Sequence, residues 1–406
     1  MTIWAQRRFR HRGDFRRAKT IEELRALARA RTAGFAFEYV EGGSEDERTL
    51  NWNRAVFETL RLVPRMLVDT SARHARITLF GRESRSPLII APTGLNGMLG
   101  RGSDVALARA AAAHGIPFTQ STLSNERIER IAREAPGRLW MQLYMLSEPA
   151  ITEDILRRAE QAGFEALVFT VDTNVFGARE WDARNYRAPA RLRIGSLLDA
   201  ACHPGWAWRT LVPGGTPQFV NVADHLPPEA RTATAAVTAI PKLLAPAITW
   251  DDVARLRDRW RGRLLIKGIL AVEDAERATA LGCDGIVLSN HGGRQLDSCV
   301  SPLDVLPAMR AAVGDRLALV ADGGFRRGTD VAKALALGAD AVMIGRAALY
   351  GLAAGGEPGV AHALTLLEAE ILRVLGQLGC RSPQELGPQF VMRSTHRGSA
   401  ESPSYA

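Results

Sequence analysis

A repeating alternation of amphipathic and apolar segments organises the chain from residue 88 onward. An alanine-rich stretch leads to a glycine, and a short run of apolar or β-branched residues follows. The clearest copies are ARAAAAHG with IPFTQ, RRAEQAG with FEALVFTVD, ERATALG with CDGIVLSN, and AKALALG with ADAVMIG. Glycine supplies the left-handed C-cap at which a helix ends and the chain turns back. The pattern therefore predicts helices that end at Gly115, Gly163, Gly282 and Gly338, each followed by a strand.

Strands buried on both faces are predicted wherever an apolar run continues without polar alternation. The further runs of this kind are PLIIAPTG, RLWMQLY, RLLIKGI and RLALVADGG. Eight strands separated mostly by helical patterns fit an α/β (β/α)8 TIM barrel better than an open doubly wound sheet. We predict an N-terminal helical extension (1–75), a barrel (76–385) with an insert at about 177–249 after the fourth strand, and a C-terminal tail (386–406).

Two helices are predicted in the extension. Thr20-Ile-Glu-Glu23 is typical of a capping box and begins a helix that runs to about Arg31. A second helical stretch is expected from about Arg48 to Leu60, after the pair Gly42-Gly43.

Composition narrows the class of protein. The chain has 406 residues, 46% of them hydrophobic, and its four cysteines show no CxxC spacing, so neither a zinc site nor a disulfide framework is indicated. The basic N-terminus lacks the apolar stretch of a secretory signal, and no apolar run approaches the length of a membrane span. We expect a protein that is cytoplasmic or peripheral on the inner face of the cell membrane. The net charge of +8 is dispersed, which disfavours a nucleic-acid-binding module.

Polar residues cluster where the predicted strands end. In a barrel of this kind the chemistry lies at the C-terminal ends of the strands. The residues at those positions are Thr93, Gln120, Gln142, Tyr144, Thr170, Asp172, Lys267, His291, Arg294, Asp322 and Arg346.

The segment SNHGGRQLD places a histidine and an arginine on a turn that follows a buried strand. A lone histidine is most often a satisfied loop residue, but the adjoining glycines allow close approach of a ligand. His291 could act as a general base, oriented by Asp172. Arg294 and Arg179 could clamp a carboxylate through bidentate hydrogen bonds. Together they suggest an acidic substrate that loses a proton.

Two glycine-rich strand ends, VADGGFRRG and AVMIGR, indicate a phosphate site. The loops after the last two strands of this barrel commonly bind phosphate through backbone amides and a helix N-terminus. Simple helix-to-strand turns are the alternative. Lys267, which follows LLI, could form a Schiff base or lie beside a flavin ring.

These motifs, with QLY, TVD and APTG, resemble the FMN-dependent 2-hydroxy acid dehydrogenase and oxidase family over about residues 20–385. PTGLNG, CHPGW and GRAALYGLAA resemble its (S)-mandelate dehydrogenase branch. The resemblance implies FMN, a homotetramer and oxidation of an (S)-2-hydroxy acid to the 2-oxo acid. It implies catalytic roles for His291, Asp172 and Arg294, substrate contacts from Tyr39, Tyr144, Arg179 and Arg294, and FMN contacts from Pro92, Thr93, Gly94, Ser121, Gln142, Thr170, Lys267, Ser289, Asp322, Gly324, Arg326, Gly345 and Arg346.

Leu123 stands where the related oxidases have tryptophan, so we expect room for a bulkier, aromatic acid. Residues 190–215 mix arginine with leucine and tryptophan, which fits either a lid over the barrel or a membrane-docking segment. The resemblance implies the second, with a membrane quinone as electron acceptor. Within the family, an oxidase that uses O2 and an L-lactate dehydrogenase are the alternatives. A flavin-containing isomerase is the alternative from another reaction class.

Overall fold

A closed barrel of eight parallel strands forms the centre of the molecule. The computed structural model describes residues 13–188, 191–212, 215–225 and 243–394. The strands are β1 (Leu60–Leu62), β2 (Ile77–Leu79), β3 (Arg82–Ser84), β4 (Leu88–Ile90), β5 (Phe118–Gln120), β6 (Leu139–Tyr144), β7 (Ala166–Thr170), β8 (Tyr186–Ala188), β9 (Arg191–Leu192), β10 (Arg263–Ile269), β11 (Gly285–Leu288), β12 (Ala318–Asp322), β13 (Ala341–Ile344) and β14 (Val391–Arg393). Around the barrel the order is β4-β5-β6-β7-β10-β11-β12-β13, and β13 pairs with β4 to close it. The predicted TIM barrel is confirmed.

Helices surround the barrel and also form much of the extension and the insert. They are α1 (Ile21–Arg31), α2 (Gly34–Glu41), α3 (Arg48–Ala55), α4 (Ser103–Ala113), α5 (Ile128–Glu134), α6 (Pro149–Gln161), α7 (Glu180–Ala183), α8 (Ile194–Ala201), α9 (Pro204–Thr210), α10 (Trp250–Arg259), α11 (Val272–Ala280), α12 (Pro302–Val313), α13 (Gly328–Ala336) and α14 (Arg346–Leu378), the last kinked at Gly355 and Gly356. The barrel interior is filled by alternate strand residues, among them Trp140, Val168, Leu265 and Val320. The intervening residues pack against the helices, which is why each strand is a continuous apolar run.

The predicted helix-ending glycines are confirmed. Gly115, Gly163, Gly282 and Gly338 all have positive φ, from 60° to 108°. Each lies between a helix and the following barrel strand. These turns fix the start of the strands, so the polar residues at the opposite strand ends share one face of the barrel.

The extension agrees with the prediction in part. The Thr20 hydroxyl accepts from the Glu23 amide (3.1 Å), but the Glu23 carboxylate accepts from the Lys19 amide (2.6 Å) instead of completing the capping box. The second predicted helix is shorter than expected, because α3 ends at Ala55 and a 3-10 turn leads into β1. Helix α2 was not predicted.

The proposed boundaries at residues 75 and 385 stay predictions. Strand β1, inside the extension, pairs with β14, inside the tail, so these two segments contact each other. Residues 1–12 and 395–406 lie outside the described part of the chain.

The insert packs against the extension and the loop after β4. Asp199 accepts from the Gly34 amide at the start of α2 (2.5 Å), and Trp206 Nε1 donates to the Met98 carbonyl (2.7 Å). Residues 189–190, 213–214 and 226–242 of the insert lie outside the described residues. No helix among the described segments combines the length and apolar character needed to cross a membrane.

Candidate active site

A cleft opens at the C-terminal ends of the barrel strands, where the sequence predicts the chemistry. Most of the predicted site residues line it: Tyr39, Pro92, Thr93, Gly94, Ser121, Tyr144, Arg179, Lys267, His291, Arg294, Asp322, Gly324, Arg326, Gly345 and Arg346. The others do not line it: Gln120, Gln142, Thr170, Asp172 and Ser289. Of these, Gln120 bonds to the Glu126 carbonyl (2.7 Å), as part of a buried network after β5.

The turn after β11 has an unusual backbone. His291, Gly292 and Gly293 all have positive φ, of 57°, 65° and 77°. A Cβ on Gly292 would lie 2.8 Å from Arg346 Nη1, and one on Gly293 would lie 2.5 Å from the Leu50 nitrogen. Glycine is therefore required on the turn by its close neighbours as well as by its dihedral angles. The left-handed conformation of His291 is a strained one that the surrounding contacts maintain.

His291 forms a hydrogen-bonded pair with Asp172. Its Nδ1 lies 3.0 and 3.2 Å from the two carboxylate oxygens, so Nε2 is left for the cleft. Burial lowers the pKa of His291 below its ordinary value, against the opposing effect of Asp172. Burial would raise the pKa of Asp172, but the His291 ring and then Lys267 hold it below its ordinary range. The pair is thus a neutral imidazole beside an ionised carboxylate at neutral pH.

Two guanidinium groups line the same cleft. Arg294 Nη1 donates to the carbonyls of Tyr39 (2.8 Å) and Gly42 (2.9 Å) at the end of α2, and its guanidinium lies 5.2 Å from the Tyr39 ring centroid. Burial, followed by the charge of Arg179, lowers the pKa of Arg294 to about 9. Arg294 is therefore charged at neutral pH, and an anion bound between it and Arg179 would stabilise both guanidinium groups.

Tyr144 completes the polar lining near the arginines. Burial, and then the Asp172 charge, raises the pKa of its phenol. The phenol stays protonated and can donate a hydrogen bond to a ligand oxygen.

Lys267 belongs to a buried chain of polar groups. Its Nζ donates to the Ser289 hydroxyl (3.0 Å), which in turn donates to Asp322 Oδ2 (2.7 Å). The ammonium also lies 3.4 Å from the same carboxylate oxygen. This contact balances the buried positive charge and fixes the ammonium at the cleft wall.

The glycine-rich strand ends supply an anion site in part. Helix α14 begins at Arg346, and Gly345 and Arg346 line the cleft, so the N-terminus of this helix lies at the cleft wall. Arg346 itself donates to the carbonyls of Val40 (2.8 Å), Gly292 (2.8 Å) and Gly42 (2.9 Å), so three of its N–H groups are already engaged. Arg326 donates to the Tyr350 hydroxyl (3.2 Å), and its Nε has no hydrogen-bond partner among the described residues but lies 3.7 Å from Glu22 Oε1.

Comparison with known proteins identifies this arrangement. A family model described as FMN-dependent dehydrogenase matches residues 28–393. The chain belongs to the FMN-dependent dehydrogenase family. Its curated relatives include dehydrogenases of 2-hydroxy acids, and FMN is the cofactor of the family.

Two of the similar members of the FMN-dependent dehydrogenase family act on different acids. The (S)-mandelate dehydrogenase of Pseudomonas putida is 43% identical over 372 residues, which cover 91% of this chain and 93% of that protein. The L-lactate dehydrogenase of Caulobacter sp. (strain K31) is 42% identical and covers 92% and 98%. A crystal structure of the monotopic membrane protein (S)-mandelate dehydrogenase superimposes with a TM-score of 0.88 at 42% identity, over 93% and 100% of the two chains.

The described residues fit the cofactor of the FMN-dependent dehydrogenases. Three buried polar atoms beside the cleft lack a hydrogen-bond partner among the described residues: Gln142 Nε2, Thr170 Oγ1 and Arg326 Nε. Gln142 accepts from the cleft-lining Ser121, and Thr170 lies beside Lys267 in the sheet register. Buried polar groups are almost always satisfied, so these atoms mark positions where a polar ligand would bind.

Other residues of the site were not predicted. Gln295 Nε2 donates to the carbonyls of Asp172 (2.5 Å) and Val175 (3.0 Å), and its place in the motif SNHGGRQLD was a signal that could have indicated this role. Leu95 and Phe219 line the cleft. Phe219 lies in the insert, where no periodic pattern marks it.

Proposed function

We propose that this FMN-dependent 2-hydroxy acid dehydrogenase oxidises an aromatic (S)-2-hydroxy acid of the mandelate type to the 2-oxo acid and passes the electrons to a membrane quinone. The observation that carries the proposal is that the His291–Asp172 pair lies beside a cleft into which His291, Arg294 and Arg179 all face. A base and two cations in one cleft match a substrate with a carboxylate and a removable proton.

Arg294 and Arg179 would bind the substrate carboxylate, with Tyr39 assisting. Tyr144 would donate to the substrate hydroxyl oxygen. His291 Nε2 would then accept a proton, either from C2 or from the hydroxyl group. In both routes Asp172 stabilises the imidazolium that forms, because the carboxylate lies 3.0 Å from Nδ1.

When bound, FMN supplies the acceptor for the two electrons that leave C2. Lys267 would lie at the N1/O2 edge of its ring, held there by Ser289. Contacts to the ring and ribityl chain would come from Pro92, Thr93, Gly94, Ser121, Gln142 and Thr170. The ribityl-phosphate end would be bound by Asp322, Gly324, Arg326, Gly345 and Arg346, with the Asp322 carboxylate toward ribityl hydroxyl groups and Arg326 Nε, which has no hydrogen-bond partner among the described residues, as one donor to the phosphate.

The insert supports a peripheral membrane location and a quinone acceptor. Its helices α8 and α9, and the two residues that follow α9, expose apolar side chains: Ile194, Leu197, Leu198, Trp208, Leu211 and Val212. Basic residues on the same segment suit the headgroup region of an anionic membrane. Of the predicted docking segment, residues 190, 213 and 214 lie outside the described part of the chain. The homotetramer that the resemblance implies is part of the same proposal and can be measured by light scattering.

Anaerobic mixing of the purified holoenzyme with a panel of acids tests the reaction. We expect (S)-mandelate and 4-hydroxymandelate to bleach the flavin faster than lactate or glycolate. Bleaching by lactate alone would replace the proposed substrate with that of the L-lactate dehydrogenases. Turnover in air with stoichiometric hydrogen peroxide would replace quinone with oxygen, and the absence of bleaching by every 2-hydroxy acid would refute the proposal.

A further inference from the structure

Residues 215–225 form a part of the insert that is fixed to the barrel. Asn125 Nδ2 donates to the Gln218 carbonyl (2.7 Å), and Asn125 Oδ1 accepts from the Gly97 amide (2.7 Å). Pro217 packs so closely on Gly97 that an added Cβ there would lie 2.8 Å from the proline Cβ. The segment is thus attached to the loops that follow β4 and β5.

A second anchor lies on the other side of Phe219. The Asn221 side chain is buried, accepts from the Ile128 amide (3.2 Å) and donates to the Glu126 carbonyl (3.0 Å). Arg158 Nη2 also donates to Asn221 Oδ1 (3.2 Å). These three hydrogen bonds satisfy the buried Asn221 amide and fix the backbone next to residue 219.

Between these anchors the Phe219 side chain reaches the cleft. It is 6% exposed and lines the same cavity as His291 and Arg294. Leu95 and Leu123 also belong to the apolar part of the lining, and a hydrogen bond from the Leu95 amide to the Leu123 carbonyl (3.1 Å) joins their loops. The cleft therefore has a polar part, with the base and the arginines, and an apolar part to which the insert contributes an aromatic ring.

We infer that Phe219 is a specificity-determining residue that packs against the C2 substituent of the substrate and favours an aromatic ring over a methyl group. The inference rests on the proposed function, since it assigns the substituent of the same 2-hydroxy acid. A 2-hydroxy acid held through its carboxylate and hydroxyl leaves only the C2 substituent to contact apolar side chains. A phenyl group would fill the space beside Leu95, Leu123 and Phe219, whereas a methyl group would leave it poorly filled.

The test compares Phe219→Ala and Phe219→Leu with a matched control, Val222→Ala. Val222 lies on the same segment and is 1% exposed, but it does not line the cleft. The measured quantity is the ratio of kcat/KM for (S)-mandelate to kcat/KM for (S)-lactate, on one sample of each holoenzyme. The ratio is independent of the fraction of active protein, so partial misfolding of a variant does not obscure the result.

We expect the ratio to fall on the order of 10-fold in Phe219→Ala, which is the usual discrimination of an apolar pocket. The ratio should fall less in Phe219→Leu, and it should stay at the wild-type value in Val222→Ala. An unchanged ratio in both Phe219 variants, or an equal fall in Val222→Ala, would overturn the inference while the proposed function stands. A wild-type enzyme that does not prefer mandelate would instead refute the aromatic substrate itself, and the inference with it.

Discussion

Replacing Asp172 with asparagine should separate the chemistry of the His291 pair from its geometry. The change keeps the size of the side chain but removes the charge that lies 3.0 and 3.2 Å from His291 Nδ1. With aspartate, Nδ1 carries the hydrogen and Nε2 is free to accept a proton. An asparagine amide can donate to Nδ1, which would leave Nε2 protonated and unable to act as the base.

The size of the effect follows from the contact. Two unit charges about 4 Å apart interact by about 4 kcal/mol at an effective dielectric constant near 20, and a charged hydrogen bond contributes about 1.5–3 kcal/mol. If the imidazolium loses about 2 to 4 kcal/mol of electrostatic stabilisation in the transition state, flavin reduction becomes about 30- to 900-fold slower. Anaerobic stopped-flow absorbance measures this rate directly, and the flavin content of the variant should be unchanged.

The pH profile gives the result that would refute this reasoning. The pKa of His291 lies below 6.5 because burial outweighs Asp172, so kcat/KM falls as the pH drops through that lowered pKa. Without the carboxylate, burial acts unopposed, the pKa falls further, and the acid limb moves to lower pH. Asp182→Asn removes a carboxyl that does not touch His291 and should leave the limb in place. If Asp172→Asn reduced the flavin at a near-normal rate, or if the acid limb of its kcat/KM profile moved to higher pH, Asp172 would not be the partner that controls His291.

Two further changes test the turn and the insert. Gly293→Ala should lower the free energy of unfolding of the holoenzyme in urea by about 1–3 kcal/mol more than Gly163→Ala does. Both glycines have φ of 77°, but only at Gly293 would the new Cβ clash with backbone atoms, those of Leu50. Equal decreases in the free energy of unfolding would refute the clash. Trp208→Ser should weaken binding to vesicles that contain anionic lipid by about tenfold. Met66→Ser is the control, because Met66 is also 69% exposed but lies outside the insert, and it should leave vesicle binding unchanged. Equal binding by all three proteins in a sedimentation assay would argue against docking through the insert.

Local patterns were sufficient to predict the barrel. Each strand is an apolar run because both of its faces are covered, and each helix stops at a glycine that the left-handed backbone requires. The C-terminal ends of those strands then had to share one face, so Lys267, His291 and Asp322 could be assigned to one cleft from the sequence. Residues such as Gln142 and Thr170 show the limit of this reasoning, because a strand-end position does not decide whether a side chain lines the cleft or lies behind it.

Contacts between distant segments could not be predicted in the same way. Helix α2 is short, begins at a glycine and has no side-chain cap of its own, since its first amide is bonded by Asp199 of the insert. Nothing in the local sequence links Asp199 to Gly34, 165 positions apart. Phe219 shows the same limit, because it reaches the cleft only through the anchors that Asn125 and Asn221 form with other loops.

The carbonyl groups at the end of α2 hold two arginines of the cleft in place: Arg294, on the turn after β11, and Arg346, at the start of α14. Arg294 donates to Tyr39 and Gly42, and Arg346 donates to Val40, Gly42 and Gly292. The extension therefore fixes the direction of the Arg294 guanidinium, which we propose binds the substrate, and, through Arg346, the turn that carries His291. Because the same turn also packs on α3 at Gly293, its left-handed backbone depends on the extension as much as on β11. The active site is thus assembled jointly by the barrel and the helices that precede it, and a change that loosens the extension should impair substrate capture before it unfolds the barrel.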